Sequence, residues 1–214
     1  MSTPMLRVGH GGAGAIARGN TLASFDAALE LGVDMIEFDV RAHRGELVLA
    51  HAPIDLLLRP CPTLHAALEH LSSPRFRDLR FDVDVKQCGI EAAMLYALET
   101  AGLTDRCLVS CGSIGVLSRF RQLDPSVRTG LSIRNRRGRR GVLAMLEARR
   151  FDAVMAHHKL VDAPFAAAVR DRAGDLFAWT VDERPLVDRM RDAGVSGVIT
   201  NDPRLFDPPS RHGW

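Results

Sequence analysis

The feature that most constrains this chain is an alternation in which short runs of β-forming residues give way to stretches with helical spacing, about eight times over. Strands are expected at 6–8, 35–40, 79–85, 107–110, 128–133, 153–156, 176–181 and 197–200, with a further extended piece at 47–50. Leu22, Phe25 and Leu29 share one face of the first helix, which Asn20 or Thr21 can cap. Leu64, Ala67, Leu68 and Leu71 give a second stripe, and later helices are expected around 116–123, 142–149, 164–172 and 185–193, ahead of a short tail. Strands that alternate with helices pair in parallel, and eight such units close into a (β/α)8 TIM barrel. An open doubly wound sheet, the competing architecture, usually has fewer strands. With 214 residues the loops must be short, and no linker interrupts the pattern, so 1–214 reads as a single domain.

Composition narrows the function classes. A chain that is 46% hydrophobic and 25% charged has enough apolar surface for a packed core. No apolar run is long enough to span a membrane, and residues 1–7 lack the pattern of a secretory signal, so a cytoplasmic setting is expected. The net charge of +2 does not imply a nucleic-acid partner. Arginine is concentrated at 134–140, a run without interleaved aromatics that reads as a solvated basic loop. Cys61, Cys88, Cys107 and Cys111 show no paired spacing. Four residues of strand separate Cys107 from Cys111 by roughly 13 Å, beyond the ~7 Å a disulfide spans, so buried thiols are expected.

In a barrel the working groups come from the carboxyl ends of the strands, which makes polar residues there informative. Glu37 and Asp39 are two apart on the second strand and share a face. Asp82, Asp84 and Lys86 do the same on the next strand, its neighbour in a barrel. Inward carboxylates are costly unless neutralised, and a hard divalent cation such as Mg2+ or Ca2+ would neutralise Glu37, Asp39 and Asp84. The plainer reading is a buried ion-pair network, but three inward acids face only one inward base. Lys86 offers a charge for a phosphate oxygen, while Asp82 lies deeper and reads as structural. His10 ends the first strand and His51 the extended piece, a pairing suited to one general base and one general acid near neutral pH. His157 and His158 close the sixth strand as either substrate contacts or strand-end caps, and His43, His65, His70 and His212 read as surface.

These residues resemble the glycerophosphodiester phosphodiesterases. The likeness runs through residues 10–40, with Gly19-Asn20-Thr21 and Glu37-Phe38-Asp39, then Val48-Leu49-Ala50-His51, Asp84-Val85-Lys86, Trp179-Thr180-Val181-Asp182 and Thr200-Asn201-Asp202-Pro203. It implies a metal-dependent phosphodiesterase barrel that releases sn-glycerol 3-phosphate and an alcohol from a small phosphodiester. A divalent cation would sit on Glu37, Asp39 and Asp84, with His10 and His51 catalytic, Lys86 on the phosphate and Trp179 against the alcohol. Four positions depart from the family pattern. Gly11 stands where arginine is usual, Gly19 and Asp84 where glutamate is, and the insertion after the second histidine is cut to residues 52–62. The missing arginine, the aspartate and the short segment are more similar to the sphingomyelinase D and phospholipase D branch, which would favour a larger lipid headgroup. A non-catalytic barrel that binds a phosphorylated ligand is disfavoured, since such a module has no need of an acid/base pair.

Overall fold

The computed structural model describes residues 4–206. Eight parallel strands form the barrel: β1 (Leu6–His10), β2 (Met35–His43), β4 (Arg80–Val85), β5 (Cys107–Cys111), β6 (Arg128–Ile133), β7 (Ala153–His157), β8 (Asp175–Trp179) and β9 (Gly197–Thr200). Each pairs with the next, and β1 pairs with both β9 and β2, which closes the circle. Between β2 and β4, β3 (Glu46–Leu49) folds back antiparallel on the upper half of β2, bringing residues 50–51 beside Asp39, whose carbonyl accepts from the Ala50 N–H. The helices are α1 (Leu22–Glu30), α2 (Asp55–Leu58), α3 (Leu64–Leu71), α4 (Glu91–Thr100), α5 (Ile114–Leu123), α6 (Arg136–Glu147), α7 (Ala163–Arg170) and α8 (Arg184–Ala193).

Period-two alternation along the strands separates two interiors. On β2, Ile36, Phe38 and Val40 point outward into the layer between sheet and helices, as Phe81, Val83 and Val85 do on β4. The inward positions carry a second, smaller cluster of Val8, Met35, Leu108, Met155, Phe177 and Ile199, which plugs the barrel. The same alternation that buries Phe38 between strand and helix therefore turns Glu37 and Asp39 into the barrel above that plug.

Local chemistry accounts for the helix ends. Thr21 caps α1, its hydroxyl accepting from the Ser24 N–H at 3.3 Å, which leaves Asn20 free for another task. Asn135 caps α6 through the Gly138 N–H at 2.9 Å, so the arginine run expected as a loop forms the first turns of a helix instead. Arginine is a good helix former, and the apolar stripe that marks this helix in sequence begins only at Val142. Arg139 lies over the Phe165 ring and pairs with Asp162 at 2.7 Å.

Helix α4 carries no clear stripe and is missed by periodicity, although Met94, Leu95 and Leu98 are buried. No α-helix follows β9 among the described residues, only a single 3-10 turn, Pro203–Leu205. All four cysteines are free thiols. No helix of the described residues is long and apolar enough to cross a membrane.

Candidate active site

Strands β2 and β4 run in a register that sets Glu37 beside Asp82 and Asp39 beside Asp84. The lower pair is buried at the floor of the mouth. Asp82 is buried with one carboxylate oxygen unpartnered, and burial beside Glu37 holds its carboxyl well above the usual range. Above it, one oxygen each from Glu37, Asp39 and Asp84 lies within 4.8 Å of the others. Such a set of hard oxygen donors suits Mg2+ or Ca2+.

Lys86 is the cluster's internal base, its Nζ 2.7 Å from Asp39 and 2.5 Å from Asp84. Burial opposes its charge, but those carboxylates raise its pKa. One ammonium does not balance three acids. Burial and the Asp39 charge push Glu37 up to about 7. Asp39 escapes that fate: burial works against ionisation, yet hydrogen bonds from His51 and Lys86 hold it well below the ordinary range. Burial leaves Asp84 raised despite Lys86. Three clustered carboxylates facing one ammonium form a set of buried oxygen donors that fits a divalent metal ion.

The histidines stand on either side of this cluster. His10 Nδ1 lies 2.7 Å from Asn201 Oδ1, and the Asn201 amide donates to Asp182 Oδ2 at 2.7 Å. The asparagine oxygen must therefore accept, which makes His10 Nδ1 the donor and leaves Nε2 facing the cluster, 3.9 Å from Glu37. Burial works against the imidazolium, but Glu37, Asn201 and Asp39 together raise the His10 pKa. His51 Nδ1 donates to Asp39 Oδ1 at 3.2 Å, a bond that raises the His51 pKa, and its ring is largely exposed at the mouth.

The turn after β1 holds these parts together. Asn20 donates to Asp39 Oδ2 at 2.7 Å and accepts from the Asp39 N–H at 2.9 Å. The Gly11 N–H donates to Glu37 Oε2 at 2.8 Å. Gly11 has φ +57, and a Cβ there would lie 3.1 Å from the Asn20 nitrogen and 3.2 Å from the Gly19 Cα. The glycine found where the family pattern has arginine thus answers a left-handed turn packed against Gly19.

A cleft of about 770 Å³ opens over these groups, with His10, His51, Lys86, Arg41, Arg134 and Trp179 in its wall. Trp179 is fixed by donating Nε1–H to the Met155 carbonyl at 2.9 Å and by an edge contact with His157. His157 accepts from the Lys159 N–H and His158 donates to the Thr180 carbonyl, so both cap the strand end and neither lines the cleft. His65 is exposed as expected, and His43 is half-buried. His70 is a correction: it packs on Phe76 and bonds Asp26 at 3.1 Å because the end of α3 rests beside α1. His212 lies outside the described residues.

Sequence reasoning assigned no role to Asn20 in the cluster, to Asn201 or to Asp182; Arg41 stands in the cleft wall, its Nε donating to the His51 carbonyl at 3.0 Å. Asn20, Asp182 and Asn201 do fall within the segments that carry the family likeness, but their tasks depend on which strand ends meet across the mouth.

Fold and mouth define the class: an enzyme whose working groups converge at the carboxyl end of a (β/α)8 barrel. The model of the Glycerophosphoryl diester phosphodiesterase family matches residues 10–54 and 76–205, and the chain belongs to that family. The glycerophosphodiester phosphodiesterase of Caldanaerobacter subterraneus subsp. tengcongensis is 25% identical over 226 residues, which cover 87% of this chain and 90% of that protein. Among solved structures, an Oleispira antarctica phosphodiesterase in complex with the product sn-glycerol-3-phosphate aligns with TM-score 0.82 at 20% identity, covering 94% of both chains. A glycerophosphodiester phosphodiesterase from Parabacteroides distasonis aligns with TM-score 0.79 at 18% identity, covering 95% of both. The chain is accordingly a phosphodiesterase, a hydrolase of phosphoric diesters.

Proposed function

We propose that this chain hydrolyses glycerophosphodiesters to sn-glycerol 3-phosphate and an alcohol in the cytoplasm, with Mg2+ or Ca2+ on Glu37, Asp39 and Asp84 and with His10 and His51 as the acid/base pair. The observation that carries this reading is the pair of imidazoles flanking one carboxylate cluster, each with its Nδ1 committed to a hydrogen bond. That commitment leaves both Nε2 atoms for substrate. One histidine takes the proton of the attacking hydroxyl or water, and the other protonates the departing oxygen. When bound, the cation supplies Lewis acidity to the phosphoryl group.

Lys86 keeps Asp39 ionised and, at the cleft wall, adds a positive charge for phosphate. Trp179 offers its ring to the alcohol portion from the opposite wall. A small phosphodiester fits the cleft.

The test is hydrolysis of glycerophosphocholine and glycerophosphoethanolamine with Mg2+, with Ca2+ or after exhaustive chelation. Turnover that needs the cation and falls by about 10² to 10⁴ in His10→Ala and in His51→Ala is expected. Full activity after metal-free dialysis, or in either variant, would sink the assignment.

A further inference from the structure

The mouth of the barrel carries two surface features that catalysis does not use. Residues 52–62 hold the single turn α2, and Ile54 before it with Leu57 and Leu58 within it are open to solvent, at 53%, 79% and 74% exposure. Ile16, in the loop after β1, is exposed on the same end of the barrel. Four of the six large apolar side chains exposed among the described residues thus lie in two segments, the loop after β1 and the stretch that continues from His51 and Ala52 of the cleft wall. Single exposed leucines need no explanation, but three large apolar side chains within five residues, in the segment that leads away from the cleft residues His51 and Ala52, form a patch.

Across the cleft, Arg134 follows β6 in the wall, and Arg136, Arg137 and Arg140 are exposed at the start of α6. None of these four pairs with a carboxylate among the described residues. Asp162, the cap of α7, binds their neighbour Arg139 at 2.7 Å instead. In a chain of net charge +2, this is a local excess placed beside the entrance.

We propose that this face docks on an anionic phospholipid bilayer, with Ile54, Leu57 and Leu58 entering the headgroup boundary and the α6 arginines holding the lipid phosphates. An apolar anchor or a basic patch alone gives only marginal, reversible attachment, whereas the two together retain a protein at a charged surface. A polyanion such as RNA would call on the arginines and leave the leucines in water. The consequence, which rests on the phosphodiesterase reading, is that the docked enzyme works at the lipid surface.

Two measurements on the full chain separate the docking from the chemistry. Co-sedimentation is measured with phosphatidylcholine vesicles, with and without phosphatidylglycerol, and glycerophosphocholine hydrolysis is followed in parallel without vesicles. Wild type should pellet with the anionic vesicles only. Leu57→Asp with Leu58→Asp, and separately Arg136→Ser with Arg137→Ser, should each lower the partition coefficient by roughly tenfold or more. Hydrolysis of the soluble substrate should stay unchanged in both variants.

Wild-type protein that stays in the supernatant with anionic vesicles overturns the proposal, as does binding untouched by either variant. Binding lost in the arginine variant but kept in the leucine variant marks a general polyanion site and overturns the bilayer assignment. A wild type inactive on glycerophosphocholine refutes the catalytic reading instead, and the vesicle result still decides the docking.

Discussion

His10 owes its orientation to residues from the other side of the barrel seam. The Asn201 N–H and side-chain amide both bond Asp182, at 2.8 and 2.7 Å, so the asparagine cannot rotate without breaking two contacts, and its oxygen fixes the His10 tautomer. Asn201→Leu should therefore lower kcat by about tenfold to a hundredfold, less than loss of the imidazole itself, with KM and cation affinity little changed. Steady-state kinetics alongside cation titration check this, and an unchanged kcat would show that Asn201 does not orient the ring. Gly11 makes a second prediction at this scale. Its φ of +57 and the packed Asn20 and Gly19 backbone mean that Gly11→Arg should cost at least about 1–2 kcal/mol, read from denaturant unfolding. The acids and Lys86 were legible as a group because alternation along a strand tells which residues share a face, and His10 and His51 because each ends an extended run. Asn201 and Asp182 were not, because their partnership with His10 exists only once β1 lies against β9.

At the scale of elements, the alternation that exposes the site chemistry also anchors it. Phe38 stands between Glu37 and Asp39 on β2, points the opposite way and packs without exposure against Phe25 of α1 at a ring separation of 5.6 Å. Phe38→Ala should cost about 3–5 kcal/mol of stability, the scale of an emptied aromatic site. Because the strand backbone still pairs on both sides, kcat of whatever fraction remains folded should hold near wild type, measured well below the lowered melting temperature. A kcat that collapses in fully folded protein would mean that β2 needs this packing to aim its acids. Strand positions could be read to within a few residues because inward and outward sets differ so sharply. Helices were legible only where a stripe was strong. The alanines of α4 and the arginines of α6 blur the pattern, and what decides those segments is the sheet beneath them and the Asn135 cap.

For the molecule as a whole, the carboxylate cluster is a source of instability that a bound cation should relieve. Glu37, with its carboxyl pushed up to about 7 by burial and Asp39, stays protonated in the folded chain at pH values where the unfolded chain, at about 4.3, has already released its proton. The folded state therefore binds more protons across that window, so stability must fall as pH rises through it. Fully developed, this single group would cost on the order of 3 kcal/mol above pH 7. The raised pKa of Asp84 acts in the same sense. So does the raised pKa of His51, whose stabilising contribution is lost as pH climbs through it. Asp39, depressed by His51 and Lys86, acts oppositely, but only at acid pH near its unfolded value. Chemical denaturation in EDTA should thus show stability declining from about pH 5 to about pH 8. Saturating Mg2+ or Ca2+ should flatten or reverse the slope, because the ion binds ionised carboxylates and stabilises the folded state that holds it. Glu37→Gln should flatten the metal-free slope as well, while removing the response to cation. Metal-free stability that rises steadily over this range would mean that Lys86 and the histidines already balance the acids, and that the cluster is an ion-pair network rather than a place for a metal.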